Sequence, residues 1–285
     1  MATSGIYQDP REQARLAAQN HLMRAYEAPV LELLFRGRSG LRILDVGCND
    51  GGKTLERFSR PETARVLGLE YHSDLVTRAE KSCADSRFLF RTCDVETEAF
   101  PEQLFRIMEE SGIEAFDLIH LSFILMHLKD PERLLAALSG VLAPGGQLLL
   151  VEPDDTVSFI SEDPDGLFSE FLGYLKTDPF AGDRGCGGRI FSMLGRMGFQ
   201  KVYLASSLIE AEQNEPKKKD DLFQMFFSYL PFDMEFLLQK EPERAEYRRC
   251  AAWLHSHFTA LKEQILQCRK IGMGVFIMTC KKQSE

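Results

Sequence analysis

The stretch ILDVGCNDGG, residues 43–52, decides the fold of this chain. Its apolar start predicts a short buried strand that ends at Asp45 and Val46, and its glycines predict a tight turn directly afterwards. Glycine permits positive φ and lets a ligand approach the backbone without a Cβ in the way. Asn49 stands between the glycines, and asparagine is one of the few other residues that tolerate the left-handed region. The stretch therefore predicts a ligand-binding turn at a strand end.

Four further apolar segments follow, and each of them is preceded by a helical pattern. These predicted strands are RVLGLEY (65–71), RFLFRTCDV (87–95), FDLIHLSF (116–123) and QLLLVEP (147–153). Strands that alternate with helices are typical of a parallel, doubly wound α/β sheet. Right-handed crossovers place the carboxyl ends of all such strands at one edge, where ligands bind.

Four regions are expected along the chain. Residues 1–40 predict a helical N-terminal cap, whose first helix starts at Pro10 and is ended or kinked by Pro29. Residues 41–206 predict a Rossmann-like core with a mainly parallel seven-stranded sheet. Residues 207–271 predict a helical insert that acts as a lid on the substrate side, and residues 272–285 the final strand and tail. The aromatic segment 223–232 either packs this insert onto the core or lines a substrate pocket.

Composition narrows the possible partners. The 285 residues carry a formal net charge of -9, with 44% hydrophobic and 27% charged residues. A nucleic-acid partner is not expected, because it requires a basic face. The basic run at residues 217–219 is followed at once by Asp220 and Asp221, and we expect it to be a solvated loop.

The spacing of cysteines and histidines indicates the redox state of the compartment and whether the chain has a metal site. The seven cysteines form no CxxC pair, which favours free thiols in a reducing compartment. The six histidines lack the spacing of a metal site, so no metal is predicted. Neither a signal-like N-terminus nor a membrane-length apolar run is found in the sequence. These patterns predict a cytoplasmic protein without membrane insertion.

Two ligand classes compete for the glycine turn. In the dinucleotide register Gly47, Asn49 and Gly52, the middle glycine is lost, and Asp45 and Asp50 would face a pyrophosphate unfavourably. An acid beside the turn instead suits a ligand with a cationic amine and a sulfonium, which are the charges of S-adenosylmethionine. The relevant register is then Asp45, Gly47, Asn49 and Gly51.

Two more acids stand at the next strand ends. Glu70 ends the second strand and can accept hydrogen bonds from both ribose hydroxyls, which would suit either ligand class. Asp94 ends the third strand, where an acid can accept a hydrogen bond from the adenine amino group. Asp94 alone could be a helix N-cap or a loop residue, but acids at three successive strand ends favour an adenosyl ligand.

The segments ILDVGCNDGG, VLGLEY, CDVE, FDLIHLSFILMHLKDPERLL and LAPGGQLLLVEPD together resemble the successive motifs of class I S-adenosylmethionine-dependent methyltransferases. Within this class, the motifs most resemble those of the small-molecule group that includes ubiquinone/menaquinone-type C-methyltransferases. The resemblance covers residues 40–205 and the final strand. The family more often has glycine where this chain has Asn49.

The resemblance implies a role for each motif residue. Gly47, Cys48, Asn49 and Gly51 would wrap the methionine end of the cofactor, and Glu70 would hold the ribose. Tyr71 would pack on the adenine, whose edge Asp94 and Val95 would contact, and Leu121 and Ser122 would line the methyl-donating side. The N-terminal segment is similar to one that closes over the cofactor in many such enzymes through Tyr7, Arg15 and Gln19. A plain surface helix is the alternative for that segment.

The catalytic residues cannot be assigned from the sequence. Methyl transfer is an in-line displacement that needs a base only when the nucleophile must lose a proton. The candidates are His127, Glu152, Asp154 and Asp155, and each could equally be a structural or loop residue. The glycine-rich segment 178–189 has no strand directly before it and is interpreted as a mobile loop rather than a phosphate cradle.

We therefore expect a methyltransferase that uses S-adenosylmethionine, releases S-adenosylhomocysteine and modifies a small molecule, as a monomer or a homodimer. Within the class, the alternative is a protein or RNA methyltransferase. From other classes, the alternatives are a nicotinamide-dependent oxidoreductase and a cofactor-binding regulator without turnover.

Overall fold

The structure, a computed structural model, describes residues 10–281. It divides into two compact units. The helical unit contains the described residues up to Tyr26 together with Asp154–Arg184 and Ser207–Val275. The sheet unit contains Glu27–Pro153, Gly185–Ser206 and the described residues from Phe276 onward.

The sheet unit is built on five parallel strands in the order β3-β2-β1-β4-β5. Their bounds are β1 Leu41–Val46, β2 Thr63–Glu70, β3 Phe88–Thr92, β4 Phe116–Ser122 and β5 Leu142–Pro153. The order reverses between β1 and β4, so this pair forms the switch point at which open α/β sheets bind ligands. In the register of the two strands, Val46 lies opposite Leu121.

Three more strands complete the sheet, and the predicted α/β fold class is confirmed. The final strand β8, Lys270–Lys281, follows β5 in the sheet order and pairs with β7, Gln200–Glu212. The sequence predicted seven strands, and the eighth is the two-residue β6, Phe159–Ile160, which is antiparallel to β8. So short a strand has too few residues for its alternation to be recognised in the sequence.

Helices connect the strands of the sheet unit. They are α2 Gly52–Phe58, α3 Ser73–Ser82, α4 Phe100–Glu110, α5 Pro131–Gly140 and α7 Gly187–Arg196. The start of α5 shows how local sequence defines them: the Asp130 carboxylate accepts a hydrogen bond from the backbone N–H of Arg133 at 3.0 Å, and Pro131 occupies the first helical position. Apolar side chains of α4, α5 and α7 form one buried core with side chains of β1, β2, β4 and β5.

The helical unit contains most of the remaining helices, which are α6 Leu167–Leu175, α8 Pro216–Phe226, α9 Leu230–Lys240 and α10 Ala245–Gln267. Its aromatic side chains pack against one another. The rings of Phe223 and Phe227 stack at 5.6 Å, and Phe171 lies 4.9 Å from Phe227 and 6.3 Å from Trp253. The aromatic residues of the predicted insert therefore contribute to the core of this unit.

The first helix, α1 Pro10–Phe35, continues through Pro29, where the sequence predicted that it would end or kink. A proline inside a helix removes one backbone hydrogen bond and costs about 3 kcal/mol in isolation. Beyond it, Val30, Leu31, Leu34 and Phe35 are all buried. Their packing compensates for the lost hydrogen bond, because tertiary burial routinely overrides local propensity.

The prediction of a solvated basic loop at residues 217–219 is wrong. These residues lie in α8, and Lys219 is fully buried. Its ammonium donates hydrogen bonds to the carbonyl of Leu266, at 3.3 Å, and to that of Cys268. It thereby satisfies carbonyl groups at the end of α10 that have no partner within the helix. Only Lys217 of the run has the exposure expected, with 80% of its side chain accessible.

All seven cysteines are free thiols. Between Pro10 and Lys281 there is no helix whose length and apolarity would let it cross a bilayer.

Candidate functional site

The glycine turn follows β1 and has the left-handed backbone that its sequence predicts. Gly47, Asn49 and Gly51 have φ angles of 75°, 52° and 78°. The turn is closed by a hydrogen bond from the Gly51 N–H to the carbonyl of Cys48, at 3.0 Å. Asparagine at the middle position is tolerated because its side chain bonds locally: Oδ1 of Asn49 accepts from the N–H of Asp50 at 2.7 Å.

Two of these glycines also have close neighbours at the position where a Cβ would lie. A Cβ on Gly47 would lie 2.1 Å from Cδ1 of Ile124, and a Cβ on Gly51 would lie 2.9 Å from both Cβ of Ala79 and Cζ of Phe90. Between them, Cys48 is buried.

Glu70 lies at the end of β2 and joins the glycine turn to the start of α3. Its Oε2 accepts a hydrogen bond from the N–H of Asn49, and its Oε1 accepts one from the N–H of His72, both at 3.0 Å. A carboxylate can accept about four hydrogen bonds. Two acceptor positions therefore remain, as many as a ribose diol needs.

The first N–H of α2 already has an anionic partner. The carboxylate of Asp50 accepts a hydrogen bond from the N–H of Gly52 at 3.1 Å. A dinucleotide fold uses this position for its pyrophosphate. The turn therefore presents an acid where that ligand class needs an open backbone donor.

The third strand end carries the predicted adenine-binding residues. Asp94 is half-buried, and its Oδ1 accepts from the N–H of Glu96 at 2.9 Å. Val95 packs partly against the core of the sheet unit. Tyr71, directly after β2, is half exposed, and its ring lies 4.9 Å from that of His72 in an edge-on arrangement.

Asp45 is buried beneath the turn and is fully engaged. Its Oδ1 lies 2.7 Å from Nδ1 of His120 on β4, and its Oδ2 accepts from the hydroxyl of Thr54 at 2.5 Å. Nε2 of His120 is buried and has no hydrogen-bond partner within residues 10–281. Asp45 thus connects the two switch-point strands to α2.

A pair of cations, the partly buried Lys53 and the buried Arg57, lies on α2 directly after the turn. Lys53 and Arg57 are one helical turn apart, and both contact the carboxylate of Glu27, which is fully buried in α1. Nζ of Lys53 lies 3.1 Å from Oε1 of Glu27 and 2.5 Å from Oγ of Ser122 at the end of β4. Burial alone would raise the pKa of Glu27, but the charges of Lys53 and Arg57 outweigh burial and lower that pKa to about 2.

Of the residues predicted on the methyl-donating side, Ser122 therefore has its hydroxyl at the switch point, whereas Leu121 is fully buried. Phe123, the next residue, has a φ of 58°. A bulky residue in the left-handed region is an outlier of the kind that concentrates at ligand sites.

Glu152, at the end of β5, has no exposed surface. Its Oε1 accepts from the N–H groups of Ile124 and Leu125 at 3.0 and 2.8 Å, and its Oε2 accepts from that of Met126 at 3.2 Å. Burial raises its pKa to about 7 against the effect of these hydrogen bonds. Both oxygens are thus occupied in holding the segment after β4, which leaves Glu152 poorly placed to act as a base.

The other catalytic candidates have different surroundings. His127 is exposed. Asp154 is buried in the helical unit, where its Oδ1 accepts from the backbone N–H and the hydroxyl of Thr156. Asp155 forms an ion pair with Arg184, whose Nη1 donates to the hydroxyl of Tyr229 at 2.9 Å.

Of the predicted N-terminal capping residues, Tyr7 lies outside the described residues. Within the helical unit, Arg15 pairs with Glu12 at 2.6 Å and donates to the side chain of Gln19 at 3.0 Å and to the carbonyl of Met225 at 3.4 Å. The segment 178–189, predicted to be a mobile loop, contains the buried Asp178 and hydrogen-bonded Arg184, and α7 begins within it at Gly187.

Residues 18–178 match the model of a family described as a methyltransferase domain. The chain belongs to this methyltransferase family. The resemblance inferred from the motifs is thereby confirmed, although the matched range starts inside α1 and stops before β7.

Individual relatives agree with this assignment. The chain is 31% identical over 140 residues to trans-aconitate 2-methyltransferase of Variovorax paradoxus, a match that covers 47% of this chain and 49% of the relative. It is 26% identical over 208 residues to phosphoethanolamine N-methyltransferase 1 of Triticum aestivum, which covers 69% of this chain and 37% of the relative. The chain thus spans about half the length, or less, of these curated relatives.

A solved structure shows the same fold. The YcgJ protein of Bacillus subtilis superposes with a TM-score of 0.55 at 16% identity, over 92% of this chain and all of that one.

Sequence reasoning missed Lys53, Arg57 and Glu27. The signal was present in part, because two basic residues four apart directly after a ligand-binding turn lie on one face of a helix. Their partner Glu27 lies 26 residues before Lys53 and gives no local pattern. A long-range ion pair of this kind is seen only once the fold is known.

Proposed function

We propose that this protein is an S-adenosylmethionine-dependent methyltransferase that acts on a small-molecule acceptor and releases S-adenosylhomocysteine. The observation that carries the proposal is the anion at the start of α2. Because Asp50 takes the N–H of Gly52 at 3.1 Å, a pyrophosphate would meet a carboxylate there, whereas a ligand with cationic groups would not.

The residues present fit such a cofactor. Along the sheet edge, Asp94 follows β3, Glu70 ends β2, and the glycine turn follows β1. We assign the adenine edge to Asp94 with Val95 and the ribose hydroxyls to the two spare acceptor positions of Glu70. The backbone of Gly47, Cys48, Asn49 and Gly51 is assigned to the amino-acid end of the cofactor, and Tyr71 to the face of the adenine.

When bound, the cofactor supplies a methyl group already activated by a positive sulfur. The task of the chain is then to orient this group, to hold the acceptor in line with it and to exclude water. The segment that follows β4 suits this task, because Glu152 fixes three successive N–H groups of it from beneath. No catalytic base is assigned.

A small-molecule acceptor is supported by the net charge of -9, which disfavours an RNA acceptor, and by the small-molecule names of the relatives. The relatives modify different compounds, so the proposal stops at the acceptor class. A cytoplasmic location and a monomer or homodimer remain part of the same proposal.

The test is calorimetric titration of the purified chain with S-adenosylmethionine and S-adenosylhomocysteine, with NADH and NADPH as controls. We expect binding of the two sulfur ligands only. The variant Asp94→Ala should weaken both, whereas Asp165→Ala, at an exposed acid just before α6 in the helical unit, serves as the matched control. Binding of the dinucleotides alone, or of no ligand, would refute the proposal.

A further inference from the structure

The cations on α2, Lys53 and Arg57, have no role among the residues assigned to the cofactor. Lys53 and Arg57 share the carboxylate of Glu27, and Nη1 of Arg57 also lies 3.8 Å from Oε2 of Glu56. Buried charges are costly unless they are paired. Lys53 therefore has less compensation from Glu27 than a simple ion pair would give it.

The remaining acids near Lys53 are held by other groups. Asp45 lies close enough to act on it electrostatically, but its oxygens bond to Thr54 and His120. The charge of Lys53 also acts on Glu152, but the carboxylate oxygens of Glu152 accept hydrogen bonds from three backbone N–H groups. Neither acid reaches Lys53 within ion-pair distance.

The ammonium of Lys53 also has donor capacity left. An ammonium has three N–H donors, and Nζ of Lys53 donates one of them to Oγ of Ser122 at 2.5 Å and forms an ion pair with Oε1 of Glu27 at 3.1 Å. Within residues 10–281 no third acceptor lies within hydrogen-bond distance of it. The ring of Phe123, whose centroid is 6.0 Å away, gives only a weak cation–π contact.

The position of this ammonium is informative. Ser122 ends β4, and the register of β1 with β4 places it across from the start of the glycine turn. Nζ of Lys53 therefore lies at the switch point between the strands, where ligands of this fold bind. Glu70 and Asp94 lie on the other side of β1, at the ends of β2 and β3.

From this placement we infer that Lys53 is the counter-ion of the α-carboxylate in the methionine part of the cofactor. The inference rests on the proposed function. With adenine at β3 and ribose at β2, the amino-acid end of the ligand lies at the switch point between β1 and β4. The carboxylate is the sole anionic group of S-adenosylmethionine, and Lys53 offers it the unused donor. Arg57 holds Glu27 in place, which makes it a positioning residue.

The test compares two ligands that differ only in this carboxylate, S-adenosylmethionine and decarboxylated S-adenosylmethionine, by calorimetric titration. In Lys53→Met, the affinity for S-adenosylmethionine should fall about tenfold to a hundredfold, as expected for a hydrogen bond to a charged group. The affinity for the decarboxylated ligand should stay within about threefold, because this ligand has no carboxylate for Lys53 to bind. Methionine preserves the apolar stem, and Glu27 keeps Arg57 as its partner.

Two variants serve as controls. Lys53→Arg retains the charge and should recover part of the lost affinity for the carboxylated ligand alone. Lys81→Met removes an exposed lysine of α3 and should change neither affinity. Thermal melts of all three variants establish that each is folded.

The inference is overturned if Lys53→Met weakens both ligands equally, which would make Lys53 a support of the turn, or if it weakens neither. Failure of the proposed function looks different. In that case the unmodified chain itself binds neither ligand, and the inference falls with it.

Discussion

Substituting alanine for Gly51 separates two reasons for a glycine in the turn. Gly51 has a φ of 78°, and Gly37, in a surface turn of the same unit, has a φ of 69°. An alanine in the left-handed region costs about 1–2 kcal/mol, and about 0.4–1 kcal/mol is regained because the unfolded chain becomes less flexible. These effects are common to both positions. Gly37→Ala should therefore lower the free energy of unfolding by about 1 kcal/mol.

Gly51→Ala should cost more because its Cβ has no room. The new atom would lie 2.9 Å from Cβ of Ala79 and 2.9 Å from Cζ of Phe90, whereas a Cβ on Gly37 would meet nothing within 4 Å. Ala79 has no flexible end that can move away, and Phe90 is only 1% exposed. Overpacking of a core typically costs about 1–3 kcal/mol. The expected total for Gly51→Ala is therefore about 2–4 kcal/mol.

Urea unfolding followed by far-ultraviolet circular dichroism measures both variants against the unmodified chain. The difference between Gly51→Ala and Gly37→Ala isolates the close approach of α3 and β3 to the turn, and we expect it to be about 1–3 kcal/mol. Equal costs within about 0.5 kcal/mol would refute the reasoning. They would mean that only φ, and not packing, requires glycine at this position.

Three other perturbations test buried charges. Burial raises the pKa of Glu152 from its ordinary 4.5 to about 7, so the folded state keeps a proton that the unfolded state releases between these pH values. The free energy of unfolding should therefore fall by about 3 kcal/mol as the pH rises from 4.5 to above 7. Urea titrations at pH 5 and pH 8 should show this loss in the unmodified chain but not in Glu152→Gln. The same pH dependence in both proteins would contradict the prediction. Burial, and then the charge of Asp178, raise the pKa of Asp233, so Asp233→Asn should stabilise the helical unit at pH 8. The fluorescence of Trp253, the single tryptophan of the sequence, reports the unfolding of this unit. A lower unfolding midpoint in the variant would contradict the prediction. Lys219→Met leaves backbone carbonyls without their donor and should cost about 1–3 kcal/mol in thermal or urea unfolding. Its control, Lys217→Met at an exposed position, should stay within about 0.5 kcal/mol, and equal effects of the two would show that Lys219 has no capping role.

The sequence predicted most of the sheet because its strands carry their own local signals. Each of the first five strands contains a short apolar run, and parallel strands buried on both faces have this composition. The same signals located Asp45, Glu70 and Asp94, since each acid stands at a strand end. The left-handed conformations at Gly47, Asn49 and Gly51 followed from residue type alone.

The buried charges were beyond sequence reasoning because their partners are distant in the chain. A lysine is normally solvated, and its sequence neighbours do not show whether a carbonyl or a carboxylate will meet it in the fold. Lys219 meets the end of α10, and Lys53 meets Glu27 of α1. The continuity of α1 through Pro29 has the same origin, because packing rather than propensity decides it.

The distribution of charge along the sheet edge gives the site a direction. Glu70 and Asp94 place anions at the ends of β2 and β3, and Lys53 places a cation at the end of β4. A ligand bound in the reverse orientation would bring its carboxylate against Glu70 and its uncharged adenine against a partly buried ammonium. Like charges about 4 Å apart repel by several kcal/mol at the effective dielectric of a partly buried site. The same residues that bind the proposed cofactor would therefore also select its orientation, and hence the side of the sheet edge to which the methyl group is presented.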